Sequence, residues 1–151
     1  MGRNSEMKLA GKKFILYGII IILSVAVMLM TIKISNDKLM NKWNDNINNL
    51  SETENQIKLI QIINYTPDGE IKYDVESEKY NDYIKFMQSI KVTPCNEELL
   101  NGISTHFIVR YKDGTEFKVL FMCKYINIDD KYFYKIQNYN EIINTYNNLI
   151  L

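Results

Sequence analysis

Residues Ile103 to Ile128 read ISTHFIVRYKDGTEFKVLFMCKYINI, and this stretch decides the fold. Two β-rich runs, Ile103–Lys112 and Glu116–Ile128, flank Asp113-Gly114. Asp-Gly between alternating apolar residues is a strong hairpin signal, because glycine accepts the positive φ of a tight turn. A two-residue turn would pair Lys112 with Thr115. Directly opposed residues share a face, so Arg110 would meet Phe117, Ile108 Val119, His106 Phe121 and Ser104 Cys123. The other face would hold Phe107, Val109 and Tyr111 with Leu120 and Met122. A bulged turn would move this register by one residue. With the two-residue turn, both faces of the hairpin are substantially apolar.

Working outward, Lys131–Ile136 predicts a further strand after Asp129-Asp130. Asn138 with Glu141 resembles a capping box that opens a final helix, with Ile142, Ile143, Tyr146 and Ile150 on its inner face. Upstream, Gln56–Tyr65 is apolar on both sides, as in a central strand. The turn Thr66-Pro67-Asp68-Gly69 follows, then Ile71, Tyr73 and Val75 in alternation, which together predict a hairpin. Ser77 is placed to cap a helix to about Ile90, with Tyr80, Tyr83, Ile84 and Met87 on one face. Thr93-Pro94 is placed to cap a short helix, Cys95–Leu100, ended by Gly102. The order ββαβββα predicts an α+β domain with a five-stranded, mainly antiparallel sheet and two helices on one face.

At the other end of the chain, Phe14 to Ile34 reads FILYGIIIILSVAVMLMTIKI, with no charge from Phe14 to Ile32. A bilayer core of about 30 Å needs roughly 20 apolar residues in a helix. The run exceeds a signal-peptide core and is followed by no small-x-small cleavage site, so it is expected to be an uncleaved signal-anchor. Arg3, Lys8, Lys12 and Lys13 precede it, and a sparser, mixed set of charges follows. That bias predicts a cytoplasmic amino terminus. Leu39, Trp43, Ile47 and Leu50 then recur at helical spacing and predict an amphipathic stalk. The expected organisation is a cytoplasmic basic tail (1–13), a transmembrane helix (14–34), a juxtamembrane stalk (35–55) and an extracytoplasmic α+β domain (56–151). The two carboxy-side helices cover one sheet face, so the stalk or a partner is expected on the other. The stripe is expected to pack on the domain itself; the alternative is a partner, met by Leu39, Trp43, Ile47 and Leu50 on the stalk and by Phe107, Val109, Tyr111, Leu120 and Met122 on the sheet.

Charge and composition exclude several functions. The net charge is zero overall, but the first thirteen residues carry +3 and the remainder −3. An acidic outer part argues against a nucleic-acid partner, whose phosphates require a basic surface. The partners expected are instead the lipid bilayer through residues 14–34 and a protein partner or a second copy of the chain. Zinc needs more cysteine and histidine than Cys95, Cys123 and His106 provide. No glycine-rich phosphate loop or nucleophile elbow is present, and Asp68, Glu70, Asp74, Glu76 and Glu78 lack the order of a calcium loop. No cofactor and no catalytic residue is expected. The alternative is a small envelope enzyme using Cys123 with His106, which the two-residue turn would put on one face, offset by two positions. His106 is otherwise expected in the core beside Ile108, Val119 and Phe121.

INYTPDGEIKYDV (63–75), a helix, and THFIVRYKDGTEFKVLF (105–121) together resemble small membrane-anchored extracytoplasmic domains of unknown function in low-GC Gram-positive bacteria. The resemblance covers most of residues 56–151 and implies an anchored α+β domain with no assigned activity. The plan of a membrane helix continued as a stalk on an antiparallel sheet also resembles minor pseudopilins, which would imply a pilin-like structural subunit. The chain departs from their processing motif, since Gly11 is followed by Lys-Lys-Phe and no Glu enters the span.

Overall fold

The computed structural model describes residues 3–95, 104–129 and 131–150. The amino-terminal helix α1 runs Arg3–Glu52. Strands β1 (Ile57–Thr66) and β2 (Gly69–Asp74), helix α2 (Tyr80–Ser89) and strand β3 (Val92–Pro94) follow. Then come β4 (Ser104–Tyr111), β5 (Glu116–Met122), β6 (Tyr125–Ile128), β7 (Tyr132–Ile136) and helix α3 (Tyr139–Ile150). The chain divides into two compact units, Met1–Lys38 and Leu39–Leu151.

In the first unit, α1 is long and apolar enough to cross a membrane. Its side chains stand open along their length, from Tyr17 at 63 % exposure to Ile34 at 57 %. Ser24 and Thr31 turn their hydroxyls back onto the helix carbonyls of Ile21 and Val27. Neither therefore adds an unpaired polar group to the apolar surface.

In the second unit the strands form one antiparallel sheet in the order β2-β1-β4-β5-β6-β7-β3. Seven strands replace the expected five, for two reasons. The run Glu116–Ile128 breaks at Cys123, whose φ of 49° turns the chain between β5 and β6. Thr93 and Pro94 belong to β3, an edge strand on β7, where a proline costs no ladder bond on its open side. Cys95 N–H continues that edge by donating to the Phe133 carbonyl at 3.0 Å, so the expected helix does not begin at Cys95. Asn96 to Leu100, the body of that expected helix, lies outside the described residues, as do Gly102, expected to end it, and Ile103, expected to open the next strand. Ser77 is no cap. It opens a single 3-10 turn, Ser77–Lys79, ahead of α2.

The central hairpin has the bulged turn. Tyr111 N–H donates to the Thr115 carbonyl at 2.9 Å, and Gly114 N–H donates to the Tyr111 carbonyl at 3.1 Å. Gly114 takes φ +89°, the left-handed residue of a three-residue hairpin loop. Asp113 Oδ1 accepts both the Thr115 N–H (2.9 Å) and the Thr115 hydroxyl (2.7 Å), which holds this turn in place of the tighter one. The register therefore shifts by one. Val109 pairs with Phe117, Phe107 with Val119, Thr105 with Phe121 and His106 with Leu120.

One sheet face then carries Ile60, Ile62, Phe107, Val109, Val119 and Ile126, every one buried. The helices pack on this face. Trp43 of α1 lies 5.5 Å from Tyr134, Tyr83 of α2 stacks on Phe107 at 6.4 Å, and Phe86 of α2 meets Phe121 at 6.3 Å. Tyr146 of α3 donates to Asn64 Oδ1 at 3.3 Å. The stalk thus covers the same face as α2 and α3, which corrects the expectation that it would cover the other. The second face carries Ile63, Ile108, His106, Leu120 and Asn127, of which Ile63, Ile108 and Asn127 are buried. Arg110 and Lys118 flank Glu116 there, each at 2.7 Å.

Candidate functional site

An apolar opening in the second unit lies where α3 meets the β5–β6 turn. The α3 helix is placed by three local devices. Asn138 donates to Ser89 O (3.0 Å) and Glu141 Oε2 (3.1 Å) and accepts from Lys91 N–H (3.0 Å), pinning the helix start to the α2–β3 connection. Ile142 N–H donates to Asn138 O at 3.1 Å and closes the first helical turn. Near the far end, the Tyr83 hydroxyl donates to the Leu149 carbonyl at 3.3 Å. Ile142 is buried beneath the helix, whereas Ile143 is 38 % exposed at its edge.

Between these fixed points a pocket of about 310 Å³ remains. Phe86, Phe121, Ile136, Ile142, Tyr139 and Tyr146 line it. Exposed Cys123 and Ile143 mark the mouth. Thr105 supplies the one aliphatic hydroxyl of the lining. Its Oγ1 donates to Asn64 Oδ1 at 2.7 Å, the same oxygen that accepts from Tyr146. Burial pushes the Tyr146 phenol above its ordinary value, and the hydrogen bonds to Thr105 and Asn64 work the other way. Among the described residues no charged side chain lines this pocket. A preformed apolar concavity of this size with few polar groups has the character of a small-molecule site.

The chain matches no protein-family model, no curated protein sequence and no solved structure. The site therefore stands on its own geometry.

The residues expected at a partner surface separate into two groups. Trp43, Ile47 and Leu50 are buried, with Leu39 packed against them, and they join Phe107, Val109 and Tyr111 in one core. Leu120 and Met122 lie half-buried on the opposite face. The bulged turn is the reason, since a one-residue shift exchanges the faces of one strand relative to the other. The same shift separates Cys123 from His106. Cys123 opens onto the pocket beside Thr105 and Phe121. His106 points to the second face, where its ring meets the edge of Tyr65 at 5.0 Å, and Val119 and Phe121 are not its neighbours there. Both cysteines are free thiols. Among the described residues no three His, Cys, Asp or Glu side chains group as a metal site.

Phe86, Thr105, Ile136 and Tyr139 were not singled out by the sequence. The usable signal was the alternation Thr105, Phe107, Val109, Tyr111 set against Phe117, Val119, Phe121, which reads as one face once the turn is bulged.

Proposed function

We propose that this chain is a single-pass membrane protein. Its amino terminus is cytoplasmic, and its Leu39–Leu151 unit is a non-catalytic extracytoplasmic binding module that serves assembly or regulation of a cell-envelope process. The observation that carries the reading is where apolar surface is left open. Among the described residues, thirteen of the seventeen exposed large hydrophobics fall between Tyr17 and Ile34, and the four others are Tyr65, Ile71, Tyr73 and Ile143. Water tolerates scattered apolar side chains but not a continuous sleeve of them, and a bilayer is the solvent that accepts it. The binding part of the reading is supported by the uncharged pocket beside α3. Its non-catalytic part is supported by the separation of Cys123 from His106, which leaves the thiol without an imidazole base.

Membrane fractionation with thiol labelling tests the reading. The protein should stay in membranes after a high-salt wash. In a Cys95→Ser background, an impermeant maleimide added to intact cells should label Cys123. Labelling only after the cells are opened would reverse the orientation, and recovery in the soluble fraction would remove the anchor. Loss of cellular function on His106→Ala would argue for catalysis instead. Crosslinking in intact cells that returns neither a partner nor a bound molecule would count against a binding role.

A further inference from the structure

We infer that the pocket between α3 and the sheet binds a small uncharged amphiphile, a hydrocarbon body of roughly eight to ten carbons bearing one hydrogen-bond donor such as a hydroxyl. The inference deepens the binding role proposed above and names the ligand class of the site. Size comes first. An apolar cavity of about 150 Å³ lined by aliphatic and aromatic side chains admits a benzene ring, so the 310 Å³ here sets a ceiling of about twelve carbons, and a body of eight to ten leaves room for the polar head. The lining sets the body of the ligand. Phe86, Phe121, Ile136 and Ile142 present only carbon, and the rings of Phe86 and Tyr146, 5.9 Å apart, frame one side.

The hydrogen bonds set the head of the ligand. The hydroxyl protons of Thr105 and Tyr146 both go to Asn64 Oδ1. With Tyr146 also hydrogen-bonded to Thr105, what this pair has left to offer a ligand is acceptor capacity, not a proton. A ligand O–H or N–H satisfies a lone pair, whereas a carboxylate would meet two acceptors and lose its water without compensation. Lys124 and Lys135 line an adjoining cleft in company with Glu141 and are not part of the pocket lining. The decisive comparison is therefore between a neutral and an anionic molecule of the same length.

Cys123 at the mouth is a built-in reporter, because a filled pocket shields its thiol. The experiment uses the full chain with Cys95→Ser, reconstituted in lipid nanodiscs, and follows alkylation of Cys123 by a soluble maleimide. Octanol should slow the reaction by about fivefold or more, and octanoate at the same aqueous concentration by less than about twofold. Thr105→Val, which keeps the shape and removes the acceptor, should bring the octanol effect down to that of octanoate. In a Cys123→Ser protein, the half-buried Cys95 thiol should react at the same rate with and without octanol. The inference is overturned if neither compound slows Cys123, if octanoate protects as well as octanol, if Thr105→Val protects as well as the parent, or if Cys95 is slowed equally. None of these results depends on fractionation or crosslinking, so the ligand class and the membrane-anchored binding role fail separately.

Discussion

Gly114 and Asp113 decide which residues of the central hairpin face the core. Gly114 sits at φ +89°, and a Cβ added there would meet no atom within 4 Å. The cost of Gly114→Ala is therefore backbone strain alone, about 1–2 kcal/mol, read as a lowered urea midpoint with an unchanged slope. Asp113 and Glu116 make the same hairpin sensitive to acid. The Thr115 N–H and hydroxyl hold the Asp113 carboxyl below its ordinary value, and Lys118, then Arg110, do so for Glu116. A carboxyl whose folded pKa is lowered stabilises the fold above its unfolded pKa and loses that contribution as pH falls through the folded one. Denaturant midpoints should drop as pH falls below about 4, and less steeply in an Asp113→Asn, Glu116→Gln protein. The Asp-Gly pair announces a turn in the sequence, but it serves two turn types. The choice between them rests on the Asp113 bonds to Thr115, which the pair alone does not reveal. That one ambiguity exchanged the faces of half the hairpin and hid the pocket.

The stripe Leu39, Trp43, Ile47 and Leu50 was legible because its spacing is intrinsic to one helix, whereas the face it covers depends on the strands beneath. Trp43 is 4 % exposed, and its neighbour Tyr134 donates its hydroxyl to the Leu39 carbonyl at 2.8 Å. Burial, with a smaller effect from Tyr132, pushes the Tyr134 phenol up to about 12, so this donor keeps its proton at any physiological pH. Trp43→Ala should cost about 3–5 kcal/mol, measured by thermal or urea unfolding, as for a large core residue; an exposed partner-facing tryptophan would cost far less. Two elements were not legible. The break at Cys123-Lys124 contains no Gly, Pro, Asn or Asp to mark a turn, and β3 is three residues long with a proline in it. The strand β3 exists because Val92 and Pro94 find Ile136 and Tyr134 across the ladder, a contact that no local pattern encodes. The pocket is of the same kind, since its walls come from α2, β4, β5, β7 and α3 and converge only in the fold.

The compact unit begins at Leu39, so the last turns of α1 are part of the domain's own core. Burying Trp43, Ile47 and Leu50 contributes roughly 1.5–3 kcal/mol each, together comparable to the 5–15 kcal/mol that holds an ordinary domain folded. A fragment of residues 36–151 should therefore melt cooperatively, and one of residues 56–151 should show no cooperative transition by calorimetry or circular dichroism. A single cooperative melt of the shorter fragment would refute the assignment. The same arrangement sets an order of events during synthesis. Leu39 and its partner Tyr134 are 95 residues apart in the chain, and β3 likewise waits for β7. At 5–20 residues per second the amino-terminal stripe emerges about 5–20 s before the strand that covers it. For that interval Trp43, Ile47 and Leu50 are bare on a nascent chain, and whatever escorts it must shield them until the seventh strand arrives.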